Sequence, residues 1–174
     1  ERIAELARIY NVRLIEDASH SIGADYQGLP VGGCTYSDIT VFSFHPVKII
    51  TTAEGGMATT NDVNLAGRME RMRSHGITRD PYLMTHQADG PWYYQQLELG
   101  WHYRMTEMQS ALGLSQMDQL NAFITRRRTL ADAYDKSLTN LPLRLPARQE
   151  GSNSSWHLYV IRVDDPARHR LISS

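Results

Sequence analysis

Helical and extended patterns alternate at the start of this chain, which restricts it to folds in which helices cover a sheet. Ile3, Leu6, Ala7 and Tyr10 recur at helical spacing, so residues 1–10 read as the end of an amphipathic helix with Asn11 as its C-cap. Val12-Arg13-Leu14-Ile15 reads as a buried strand closing on Glu16-Asp17, and Ala18 to Ala24 as a loop of mostly small residues. Residues 24–33, with Gly28, Pro30, Gly32 and Gly33, are turn-rich. The β-branched and apolar run Ile39-Thr40-Val41-Phe42, continued to Ser43, reads as a second buried strand, and Gly56 to Thr60 as a third.

A helix follows, capped by Asn61 or Asp62 and running to about Ser74, with Leu65, Met69 and Met72 on one face. Residues 75–104 read as a long irregular stretch rich in aromatics, a kind of loop that is usually functional or interfacial. Thr106 and Gln109 have the spacing of a capping box. Helical pattern then extends through Met117, Leu120, Phe123 and Tyr134 to about Leu138, a length that implies a kink or two helices. Gln149 to Ser155 reads as a polar linker, and the alternation from Trp156 to Val163 as a strand of a second, smaller domain.

At 174 residues the chain can form one domain with a core, or parts of two. Eighteen basic against 19 acidic residues leave a net charge of −1, with no basic field suited to nucleic acid. Arg126-Arg127-Arg128 falls within helical pattern and reads as a solvated face. The single cysteine, Cys34, excludes an internal disulfide framework, and no metal-ligand set is read. No apolar run approaches the ~18 residues of a membrane span and no signal peptide is found, so no membrane partner is expected and the expected compartment is the cytoplasm. The chain opens inside helical pattern without an initiator Met and stops after a strand-like run, so it reads as an internal segment of a longer protein.

Reactive residue types concentrate at Ser43-Phe44-His45-Pro46-Val47-Lys48, beyond the second strand and ahead of Gly55-Gly56. Open α/β sheets bind ligands at such strand ends. A lysine in a partly dry site has its charged form disfavoured and becomes nucleophilic toward an aldehyde, so Lys48 reads as a Schiff-base lysine. Asp17 closes the neighbouring strand, and if the two strands are parallel both side chains reach one end of the sheet. A carboxylate facing a pyridine nitrogen keeps it protonated, and a pyridinium is the electron sink of pyridoxal phosphate (PLP). Ser43 is placed for the phosphate, and His20 for the ring or its phenolic oxygen. Taken singly, each has an ordinary reading: Lys48 as a surface lysine, Asp17 as a turn or cap residue, His20 as a loop histidine.

Glu16-Asp17-Ala18-Ser19-His20-Ser21-Ile22-Gly23-Ala24, then Ser43 to Lys48, then Thr52-Ala53-Glu54-Gly55-Gly56, together resemble the PLP-dependent nucleotide-sugar aminotransferases of the DegT/StrS family. Arg73-Ser74-His75-Gly76-Ile77 and Tyr103 to Gln109 are similar to later blocks of that family, and the order fits over residues 12–163. The run from Pro46 to Gly56, with Gly113 to Gln116, most resembles the subgroup that aminates a UDP-linked 4-keto-6-deoxy sugar in pseudaminic acid synthesis, with the aminoarabinose branch as its neighbour.

The resemblance implies an α/β, fold-type I PLP-dependent transferase. Residues 1–120 would be the later part of a large domain with a mostly parallel sheet, and 121–174 a connecting helix and the start of a small α+β domain. It implies a homodimer with shared active sites and L-glutamate as amino donor. By position, Lys48 is the catalytic residue that carries the cofactor and moves protons, Asp17 pairs with the pyridine nitrogen, His20 lies against the ring and Ser43 binds phosphate. The family has Asn, reaching the partner subunit's phosphate, where this chain has His102, and the aromatic before it is Trp101. With the earlier part of the phosphate cup lacking, this segment alone is expected to bind PLP weakly or not at all. Lys48 argues against the family's dehydratases, which carry histidine there. A regulatory relative that keeps PLP without turnover and a non-catalytic α/β binding or dimerisation module are the other readings.

Overall fold

A computed structural model describes residues 1–163. Helix α1 (Arg2–Ile9) leads into strand β1 (Ile15–Asp17). The helix ends at Tyr10, and Asn11 makes the left-handed exit turn at φ 50°. The strand starts later than the apolar run predicts. The Leu14 N–H donates to the Asp38 carboxylate at 2.8 Å, and the Asp38 N–H returns a bond to the Leu14 carbonyl. Nor is the run buried: Val12 and Ile15 are 58% and 62% exposed, because β1 is an edge strand among the described residues.

Strand β1 pairs in parallel with the strand at Ile39–Ser43, Asp17 opposite Val41. A hairpin of two short strands, β2 (Asp25–Tyr26) and β3 (Leu29–Pro30), lies between them in sequence. Its two-residue turn, Gln27-Gly28, has φ 54° and 76°, the doubly left-handed geometry that matches the twist of a tight hairpin. Sheet order is β1, then β4 (Ile39–Ser43), then β5 (Gly56–Thr59), with β5 antiparallel to β4. Helix α2 (Val63–Arg73) starts where expected: the Asp62 carboxylate accepts from the N–H groups of Asn64 and Leu65 at 2.8 and 3.2 Å.

Residues 75–104 are more ordered than a structureless loop. Strands β6 (Ile77–Thr78) and β7 (Gln95–Gln96) pair antiparallel, and buried Gln95 accepts from the Thr85 N–H at 2.8 Å. Two-residue strands carry no periodicity, so the pattern could not reveal them. The capping box at Thr106 and Gln109 is present and opens helix α3 (Glu107–Asp118). Helix α4 (Leu120–Leu138) follows after Gln119, so the long helical pattern is two helices.

The C-terminal part departs most from expectation. The polar stretch forms a strand, β8 (Ser152–Asn153), antiparallel to β2 with Asp25 opposite Asn153. Trp156 to Val163 is not a strand and holds only an isolated bridge, Arg144 to Arg162. The reason lies on α4. Arg127 Nη1 donates to the Trp156 and His157 carbonyls at 3.0 and 3.2 Å, and Arg128 to those of Ser154 and Asn153 at 3.1 and 3.2 Å. Carbonyls a ladder would use are bonded to guanidinium groups instead. The arginine triplet is therefore no simple solvated face: Arg126 is exposed, but Arg127 and Arg128 are half-buried clamps. The expectations for residues 164–174 lie outside the described residues. Among the described residues no helix is long and apolar enough to cross a membrane.

Candidate active site

The core lies directly beneath the Lys48 loop. Phe44, Ile49, Ile50 and Ile124 are buried together, with Ile22 and Leu120 packed against them. Each such side chain contributes about 1.5–3 kcal/mol of burial, so the ends of the loop are anchored. Its backbone is tied as well. The Phe44 N–H donates to the Gly55 carbonyl at 2.8 Å, and the Phe44 carbonyl accepts from the Thr52 N–H and the Thr51 hydroxyl, each at 3.0 Å. Lys48 N–H closes a tight turn on the His45 carbonyl at 3.0 Å. These bonds leave Lys48 half-buried on a constrained loop, with exposed His45, Pro46 and Val47 beside it.

Asp17 comes to the same end of the sheet, because β1 and β4 are parallel. Its Oδ1 accepts from the Ser19 hydroxyl at 2.5 Å and the Ser19 N–H at 3.0 Å. The Ser19 hydroxyl first, then its N–H, hold the carboxyl below the usual carboxylate range, and the charges of His20 and Lys48 act in the same direction. Asp17 is thus an ionised carboxylate in electrostatic reach of His20 and Lys48. Ser43, half-buried, ends β4, and its oxygen is 3.5 Å from the His45 N–H. At that distance the bond is weak, which leaves the hydroxyl able to donate elsewhere.

His20 is exposed on the loop after β1, where Gly23 lets α4 approach: φ there is 74°, and a Cβ would overlap Ile124 Cδ1. Its ring lies 4.4 Å from that of His157. His157 is a site neighbour that sequence reasoning missed, since nothing in its local pattern links it to residues so distant in the chain. Burial first, then the charges of His20, Lys48 and Arg127, push its pKa down. His102 stands elsewhere. It bridges Ser74, packs its ring 5.1 Å from His75 and lies 3.3 Å from Arg104 Nη2, with no described contact to Asp17 or Lys48.

This donor set fits PLP: an ionised carboxylate suits a protonated ring nitrogen, an amine an aldehyde, and a free hydroxyl a phosphate.

The comparisons with known proteins agree. The chain is 37% identical over 165 residues to the uncharacterized protein MJ1066 of Methanocaldococcus jannaschii, covering 94% of this chain and 42% of that one. It is 36% identical over 162 residues to a Campylobacter jejuni UDP-4-amino-4,6-dideoxy-N-acetyl-beta-L-altrosamine transaminase, covering 92% of this chain and 40% of the relative. Among solved structures it matches PseC of Helicobacter pylori, an aminotransferase involved in pseudoaminic acid biosynthesis, with TM-score 0.83 and 32% identity over 95% of this chain and 42% of that one. The chain therefore spans about two fifths of the length of these relatives. The fold is that of the fold-type I PLP-dependent transferases, and the sugar aminotransferase Spr1654 of Streptococcus pneumoniae, which it matches, has been solved in PLP and PMP forms, consistent with pyridoxal 5′-phosphate as cofactor. The family model for the DegT/DnrJ/EryC1/StrS aminotransferases matches residues 1–174, and the chain belongs to that family.

Proposed function

We propose that the protein carrying this chain transfers an amino group from L-glutamate to the 4-keto position of a UDP-linked 6-deoxy sugar, in a pathway leading to pseudaminic acid. The observation that carries the reading is the convergence of Asp17 and Lys48 at one end of the parallel β1–β4 pair. The name of the Campylobacter relative and the role of PseC support the choice of sugar. In this reading residues 1–120 belong to the large domain and 121–174 lead into the small one.

When bound, PLP supplies an aldehyde and an electron-accepting ring. Lys48 Nζ would hold the cofactor through its aldehyde and would serve as the base that carries protons at the reacting carbon. The Asp17 carboxylate, fixed by Ser19, keeps the proton on the ring nitrogen. The Ser43 hydroxyl would donate to the phosphate, and His20 would contact the ring. His102, set apart from this cluster, serves the partner subunit's phosphate in a homodimer with shared sites.

The test is the visible absorbance of the complete protein with PLP, before and after L-glutamate. A lysine-linked cofactor band that shifts on glutamate and is missing in Lys48→Ala supports the reading. A flat spectrum from folded, PLP-supplied protein would return Lys48 to an ordinary loop lysine and favour a non-catalytic module. Asp17→Ala is expected to keep the band and lose most turnover; near wild-type rates would remove Asp17 from its role.

A further inference from the structure

His157 is held at the lysine site by more bonds than its own chain neighbours provide. Trp156, just before it, sits at φ 52°, a conformation that costs a non-glycine residue about 1–3 kcal/mol. Side chains of α4 keep it there, since Arg127 binds the carbonyls of Trp156 and His157 and Arg128 those of Ser154 and Asn153. Ser155 is 1% exposed, and its hydroxyl donates to the His20 carbonyl at 3.4 Å. The outcome is the 4.4 Å contact between the His20 and His157 rings.

The chemistry of the imidazole narrows its part. Nδ1 of His157 is enclosed, with no hydrogen-bond partner among the described residues. An orphaned buried N–H is rarer than an orphaned acceptor, which favours the form with the proton on Nε2 and a bare lone pair on Nδ1. His20 from the loop after β1 meets the ring directly, and the fields of His20, Lys48 of the β4–β5 loop and Arg127 of α4 reach it. Each opposes a further positive charge at this place.

We propose that His157 is a positioning residue of the lysine site, an uncharged imidazole that fixes the ring of His20 and adds no positive charge beside Lys48. The proposal rests on the Schiff-base reading of Lys48 and deepens it.

Two measurements on the complete protein test it. Without cofactor, NMR titration of the histidine rings is expected to find the His157 midpoint below that of an ordinary histidine, with the proton of the neutral ring on Nε2. A His157 titrating with the ordinary midpoint overturns the proposal, whether or not the protein is an aminotransferase. With PLP bound, the readout is the pH midpoint of the visible absorbance change. His157→Phe keeps an uncharged ring and is expected to leave the midpoint in place. His157→Lys adds a fixed charge and is expected to lower it by about one pH unit. A wild-type midpoint in PLP-loaded His157→Lys, or a Phe variant that shifts like Lys, overturns the proposal. Failure of the wild-type protein to take up PLP would sink the lysine-site reading instead, and the titration then decides on His157.

Discussion

The loop from Ser43 to Gly56 and the segment from Asn153 to His157 converge on the same end of the sheet, but they are built differently. The loop is bonded locally and anchored by a core that includes Ile124 of α4. Buried Phe44, Ile49 and Ile50 pin it from below, and its backbone bonds run between residues close in sequence. The segment is shaped from a distance, by two arginines of α4 that bond its carbonyls. The first depends on apolar burial, the second on a few polar bonds, and the two should fail in different ways.

The sharpest division is between chemistry and scaffold within the loop. Lys48→Ala is expected to lower turnover on the order of 10²–10⁴-fold with little change in folding stability, measured as glutamate-dependent amination beside denaturant unfolding. Ile50→Ala is expected to cost about 2–5 kcal/mol by the same unfolding measurement, because Ile50 is 1% exposed beneath the loop. An Ile50→Ala cost below half a kcal/mol would break the claim that burial holds the loop. Arg127→Met is expected to cost less, about 1–3 kcal/mol, and to act locally. Hydrogen exchange should speed up over residues 153–157 while the Lys48 loop stays protected; equal acceleration in both would erase the distinction.

The smallest effect lies beyond the clamp. Burial first, then the bond from the Tyr159 hydroxyl to the Asp135 carboxylate at 2.6 Å, push the Tyr159 phenol up to about 12. A phenol raised above its ordinary value of about 10 lends stability that is complete below that pH and is lost as pH rises toward 12. The difference in tyrosinate absorbance between wild type and Tyr159→Phe should therefore appear near pH 12; ionisation near pH 10 would remove the bond from the account.

The same contrast explains what the sequence made legible. Strand β4, the Asp62 cap and the capping box at Thr106 are local and were readable from spacing. The parallel pairing that unites Asp17 and Lys48 stood only as a condition of the α/β rhythm, and the structure meets it. Burial of Val12 and Ile15 was not readable, since it depends on what covers an edge strand. The 153–157 segment was misread as linker and strand because its geometry is written in Arg127 and Arg128, a helix away. His157 went unnoticed for the same reason.

The junction of β2 with β8 also bears on how the site comes into being. The Asn153 amide donates to the Asp25 carboxylate across a separation of 128 residues, and Ser155 reaches His20 across 135. Closing a flexible loop of that length costs about 4 kcal/mol of chain entropy. During synthesis the hairpin at Gln27-Gly28 can form early, but its third strand arrives only after the whole of α4 has been made. High contact order slows folding, so residues 25–26 must wait as an open strand edge, exposed to the wrong partners, until the chain that completes both the sheet and the histidine pair emerges.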